Sequence, residues 1–160
     1  MELQGLVEEL KKTIYFENFI NQYPEAYLAA GFFIIEDNEE NKYQLDFFIP
    51  AHQKIAAFEW PLDKPAKIYE DKIERAEKIA RPLKVDLDNL KNKIKEVIKD
   101  CKINFQPSKI IAILKDNNWN ITCMSSSLNI LKICMSARTG EVTKCDKASL
   151  MDVMSITKKS

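Results

Sequence analysis

The sequence predicts an α+β fold made of two related halves, each a helix packed on an antiparallel β-sheet, joined by a charged helical linker. The first observation behind this is the stretch from Leu128 to Asp146, two alternating apolar-polar runs around a tight turn at Ala137-Arg138-Thr139-Gly140. Alternation of that kind places successive side chains on opposite faces of a strand. The second is an echo of this hairpin. Without a gap, Phe48 to Trp60 lies over Cys134 to Asp146 at a constant offset of 86 positions, with Ala51 and Ala137 in the same slot. The third is an amphipathic helical stripe ahead of each set of strands. The boundaries that follow are residues 1–60 for an N-terminal degenerate repeat, 61–86 for the linker and 87–160 for a C-terminal repeat, which could pack as one compact unit.

Leu3, Leu6, Val7, Leu10 and Ile14 fall at helical spacing, and Phe16, Phe19 and Ile20 prolong the stripe toward Tyr23-Pro24. There the residue before proline is pushed out of the α region. The segment PEAYLAAG suits a short helix with Pro24 at its first position and Gly31 as its stop, or an extended lead-in; the helix is the reading favoured. Phe32 to Asp37 and Lys42 to Pro50 are β-rich runs around the polar NEEN, and Lys54 to Trp60 returns as a third strand. Between Ile68 and Arg81, Asp71 with Arg75, Glu74 with Lys78 and Glu77 with Arg81 each place an acid four residues before a base. Tyr69, Ile73, Ala76 and Ala80 run beneath them. This spacing predicts a surface helix stopped by Pro82.

Asp86 or Asp88 caps the next helix, whose buried stripe is Leu87, Leu90, Ile94, Val97 and Ile98. SKIIAILKD is apolar on both faces, as an inner strand is, and Asn117-Asn118 supplies a tight turn before WNITCMS. In the last hairpin Leu131, Ile133 and Met135 face the core. Gly140 gives the turn its positive φ, which sets Ile133 opposite Cys145 and Met135 opposite Thr143. Leu45, Phe47 and Ile49 hold the equivalent core slots in the echo, where Lys54 replaces the glycine, so that turn is built differently. The tail predicts one helical turn at Leu150 to Met154.

The string LNILKICMSARTGEV, preceded by WNITCMS and a helix, resembles the end of a PepSY-type unit, a cystatin-like α+β fold. Ala137, Thr139, Gly140, Glu141 and Val142 match that unit's closing pattern, and Ser136 departs from it where an aspartate is common. The resemblance covers about the last 75 residues. It implies a regulatory or inhibitory binding role, often toward peptidases, and brings no catalytic residues.

Composition narrows the function classes. Lys plus Arg and Asp plus Glu both number 24, so no net field gathers polyanions, and nucleic acid is not an expected partner. The amphipathic start MELQGLVEELKK lacks the basic n-region and apolar core of a signal peptide, and no apolar window spans a membrane. Cytoplasmic placement and no membrane partner are expected.

The four cysteines carry no CxxC spacing. Cys123, Cys134 and Cys145 stand eleven apart on strands, the one arrangement for a thiol-held zinc or a redox pair. Strand alternation places Cys134 opposite in face to Cys145, which favours reduced, space-filling thiols without metal. His52, the single histidine, falls in the turn of the echo and lacks the positioned partner of a general base. Phe48, off the inferred core face, and Trp60 are the candidate residues for a protein or peptide partner. The function expected is a non-catalytic protein- or peptide-binding regulatory module, with no cofactor. The alternative is a homo-oligomeric assembly protein.

Overall fold

The structure, a computed structural model, describes residues 2–37, 39–70 and 76–149. Thr13 divides the N-terminal helix in two. Its hydroxyl oxygen accepts from the Phe16 amide at 3.2 Å, capping a new helix, and donates to the Leu10 carbonyl at 2.8 Å. The result is α1 (Leu3–Lys11) and α2 (Ile14–Gln22). The break turns Phe16 and Phe19 onto the sheet, with ring centroids 5.3 Å from Phe47 and Phe58 respectively.

Strand wins over helix at PEAYLAAG, because β1 (Tyr27–Glu36) already pairs with β2 (Lys42–Ile49) from Tyr27 opposite Phe48. Gly31 is thus no helix stop. It sits mid-strand beneath the Phe33 ring, and a Cβ there would lie 2.6 Å from Phe33 Cζ, so the close approach requires glycine.

β3 (Lys54–Glu59) is followed not by a linker helix but by β4 (Lys67–Glu70), which satisfies the backbone edge of β3 from Lys54–Glu70 to Ala57–Lys67. Residues 76–80 are not helical either. The Ile79 amide donates to the Leu28 carbonyl at 3.1 Å, and buried Asn117 accepts from the Ala80 amide at 2.8 Å while donating to Glu77 and the Lys78 carbonyl. Arg81 reaches Gln4 at 2.7 Å in place of the expected Glu77. At the end of the predicted stripe, Ala76 and Ala80 offer too little apolar area to compete with these tertiary bonds. Asp71 to Arg75 lie outside the described residues, as does the expected turn at Leu150 to Met154.

α3 (Leu87–Asp100) begins as expected at Asp86, which forms a reciprocal capping box with Asn89. The same Oδ1 accepts from the amides of Leu87 at 2.6 Å and Leu3 at 2.7 Å, so one carboxylate caps the first turns of both α3 and α1. Leu90, Ile94, Val97 and Ile98 are buried, and Leu87 packs at the rim.

β5 (Lys109–Lys115), β6 (Asn118–Met124), β7 (Asn129–Ser136) and β8 (Val142–Ser149) complete one antiparallel eight-stranded sheet in the order β4-β3-β2-β1-β5-β6-β7-β8. One hydrophobic core joins α1, α2 and α3 to one face of this sheet, from Leu3, Phe16 and Leu90 to Phe33, Leu45 and Ile133. The 86-position offset is one strand out of step with this topology. It lays β2 on β7, whereas β2 neighbours β1 as β6 neighbours β5. A strand with one covered face repeats the same alternation wherever it occurs, so a short match does not fix which strand corresponds to which.

The last hairpin sets Ile133 opposite Cys145, but a bulge after Cys134 brings Met135 against Val142 rather than Thr143. Gly140 adopts φ 79°. The β5–β6 turn comes one residue earlier than predicted, at Asp116 and Asn117 with φ 53° and 57°, the pair of positive values of a type I′ turn. The β2–β3 turn uses Gln53 at φ 50°.

Candidate interaction face

Every residue on the helix-covered face has a neighbour in sequence on the other face, and at the centre of the sheet that neighbour is apolar. Phe32 stands opposite Ile113 and Ile34 opposite Ile111 across the β1–β5 seam. These four are half-buried, belong to neither hydrophobic cluster, and have no described helix over them. Polar rows flank them: Lys42 and Gln44 on β2, Asn120 and Thr122 on β6, and Lys132 on β7. At one end Lys109 binds Glu36 at 3.2 Å. Hydrogen bonding with the Glu39 carboxyl, then with Lys109, holds the Glu36 carboxyl below its ordinary range.

The outer part of this face is closed. Phe48 is only 2% exposed, packed with Ala29 and Ile55 under Ala76, whose carbonyl accepts from the Tyr27 hydroxyl. Phe48 is therefore not available to a partner, which corrects its expected role. Beside it, buried Asp46 accepts from Gln44 at 2.8 Å and from the Tyr69 hydroxyl at 3.1 Å.

Trp60 is placed differently. Its ring stands edge-on to Tyr43 and its Nε1 donates to Glu9 at 3.0 Å, leaving it half-buried at the end of β3. With Phe32, Ile34, Lys42 and Gln44 it lines a shallow depression of about 210 Å³. Trp60 thus borders the apolar strip, and Phe32, Ile34, Ile111 and Ile113 are the residues that sequence reasoning missed. Their signal was present in the run FFII, which reads as a β-rich strand, and in IIAI, which reads as an inner strand apolar on both faces.

The thiols do not converge as a trio. Cys134 is on the open face and donates to Asn120 Oδ1 at 3.2 Å, while Cys123 and Cys145 are on the covered face. All four cysteines are free. Burial, then the nearby Cys145, pushes the Cys123 thiol up to about 12. Burial, then hydrogen bonding with Cys101, does the same for Cys145. Among the described residues no group of three His, Cys, Asp or Glu side chains could hold a metal. His52 is exposed in the β2–β3 turn, with its ring edge-on to Tyr23 at 5.5 Å.

Fold and face together define a class: an α+β protein in which one wide antiparallel sheet is backed by helices and presents part of its other face. No family model matches the chain, and no curated protein matches it. Among solved structures its fold is similar to that of a candidate lipoprotein from Clostridium difficile 630, at 12% identity and a TM-score of 0.54, over 83% of this chain and 90% of that one. At that identity the likeness is one of fold.

Proposed function

We propose that this protein is a non-catalytic binding module that presents the open centre of its sheet to a segment of another protein. The observation that carries this reading is the strip of Phe32, Ile34, Ile111 and Ile113, apolar side chains partly in water on a face that no described element covers. Contiguous apolar surface left partly in water is the kind that interaction sites are built from. The PepSY-like close of the last hairpin supports a regulatory role. The repeated order of helical segment then four-strand meander supports descent from two related halves.

The assembly alternative, with a strand edge as its template, finds less support. The edge strand β8 carries Lys144, Asp146 and Lys147, and β4 is short and begins at Lys67, the features that discourage edge pairing. We propose a cytoplasmic location; that a structure of similar fold carries the name of a lipoprotein makes cell fractionation the direct check.

The test is a pull-down from source cells with the wild type and with an Ile111→Asp, Ile113→Asp variant of matched circular dichroism. A protein retained only by the wild type, and rebinding it when purified, is the expected result. Retention of the same proteins by both forms sinks the reading.

A further inference from the structure

We propose, on the reading just given, that the occupant of the open face is an acidic, apolar segment of a partner protein, laid across the strands rather than added to an edge. The apolar half of this assignment follows from the strip itself. The acidic half follows from which charges on the face are already engaged. Glu36 is bound to Lys109 at 3.2 Å, Glu59 to Lys64 at 3.6 Å and Asp146 to Lys144 at 3.6 Å, and Asp46 is buried within hydrogen bonds. Lys42, Lys115 and Lys132 stand on the same face, by register with Ile34, Ala30 and Thr122, and have no salt bridge among the described residues. Among the described residues, a chain with 24 basic and 24 acidic residues thus sets three lysines without a salt bridge around the strip of Phe32, Ile34, Ile111 and Ile113, of which Lys42 acts on Glu36 only through its field. Complementary carboxylates on a partner would be drawn there, and cationic partners turned away.

Nucleic acid fits the cations and not the strip. Bases bind sheet surfaces by stacking on successive aromatic faces, and of the strip's four residues only Phe32 is aromatic. Strand addition fits neither end of the sheet, for the reasons of edge chemistry given above. Crossing the five strands from Lys42 on β2 to Lys132 on β7, spaced about 4.8 Å apart, takes about 6 residues of extended chain, which a peptide of about 10 covers with margin.

Three probes test this with the full chain by titration calorimetry: a peptide of about 10 residues alternating Asp or Glu with Leu or Ile, the same peptide with Lys for each acid, and an oligothymidylate. The expected result is that the acidic peptide binds, that the basic peptide and oligothymidylate do not compete for it, and that Lys115→Glu with Lys132→Glu weakens it about tenfold, the size of two or so screened pairs. Equal binding of both peptides overturns the acidic assignment and leaves the face as the site. Undiminished binding of the acidic peptide to an Ile111→Ser, Ile113→Ser variant removes the face itself. Binding of neither peptide, or stronger binding of the oligothymidylate, overturns the inference.

Discussion

On β1 and β5 the two faces carry nearly the same apolar residues and meet different surroundings. Phe33, Ala112 and Leu114 are fully buried beneath the helices, while Phe32, Ile34, Ile111 and Ile113 on the reverse are partly in water. Side-chain chemistry is thus matched, and only the covering differs. The lesson is that an apolar run tells of what a strand touches, in the folded chain or beyond it, without saying which. The covered face is where stability resides. The open face is where, on the binding role we propose, a substitution is felt by a partner.

The largest expected effect tests the covered side. Trp119 is fully buried, 5.7 Å from the Phe33 ring, with its Nε1 bonded to the Val85 carbonyl at 2.8 Å. Trp119→Ala is expected to cost about 3–5 kcal/mol in denaturant unfolding. Gly31→Ala comes next, at about 1–3 kcal/mol, since the added methyl forces the Phe33 ring from its place. A neutral result at Gly31 would mean that the covered face is loosely packed.

Titration sharpens the contrast further. The folded Cys123 thiol titrates at about 12 against 9.0 when unperturbed, so the folded state holds its proton more tightly. The stability this contributes is complete below about pH 9 and is lost as pH rises toward about 12, with a slope of at most about 1.4 kcal/mol per pH unit. Comparing wild type with Cys123→Ala by urea unfolding at pH 8, 9 and 10 should show the wild type losing stability faster. Parallel curves would mean that Cys123 is open to water. The smallest effect belongs to the open side: Ile113→Ala should change stability by no more than about 1 kcal/mol. A loss as large as that at Trp119 would abolish the distinction between the faces.

Much of the fold was legible where local chemistry and packing agree. Leu90, Ile94, Val97 and Ile98 carry a helical period with a true cap at Asp86, and Gly140 leaves one conformation for its turn. Reading failed where a distant partner decided. Ala76 to Ala80 carry helix-like charge pairs, yet their hydrogen bonds go to Leu28 and Asn117. Tyr27 to Gly31 look helical until β2 offers them a ladder. Of the two candidate residues, Trp60, singled out as an aromatic at a strand end, borders the strip. Phe48 misled, since the segment that covers it is remote in sequence. The strip was hidden because nothing in IIAI says that only one of its two faces is packed.

The seam between β1 and β5 has a consequence for synthesis. Among the described strands every other ladder joins neighbours in the chain, but this one pairs Ala30 with Lys115 and Glu36 with Lys109. At about 5–20 residues per second, the ribosome needs on the order of 4–16 s to add the intervening chain. Throughout that interval β1 presents a bare edge along FFII, a template that another nascent chain could join. The residues that close the sheet's centre are therefore also those that end its exposure, and a chain truncated before Lys109 is expected to aggregate rather than to fold as half a sheet.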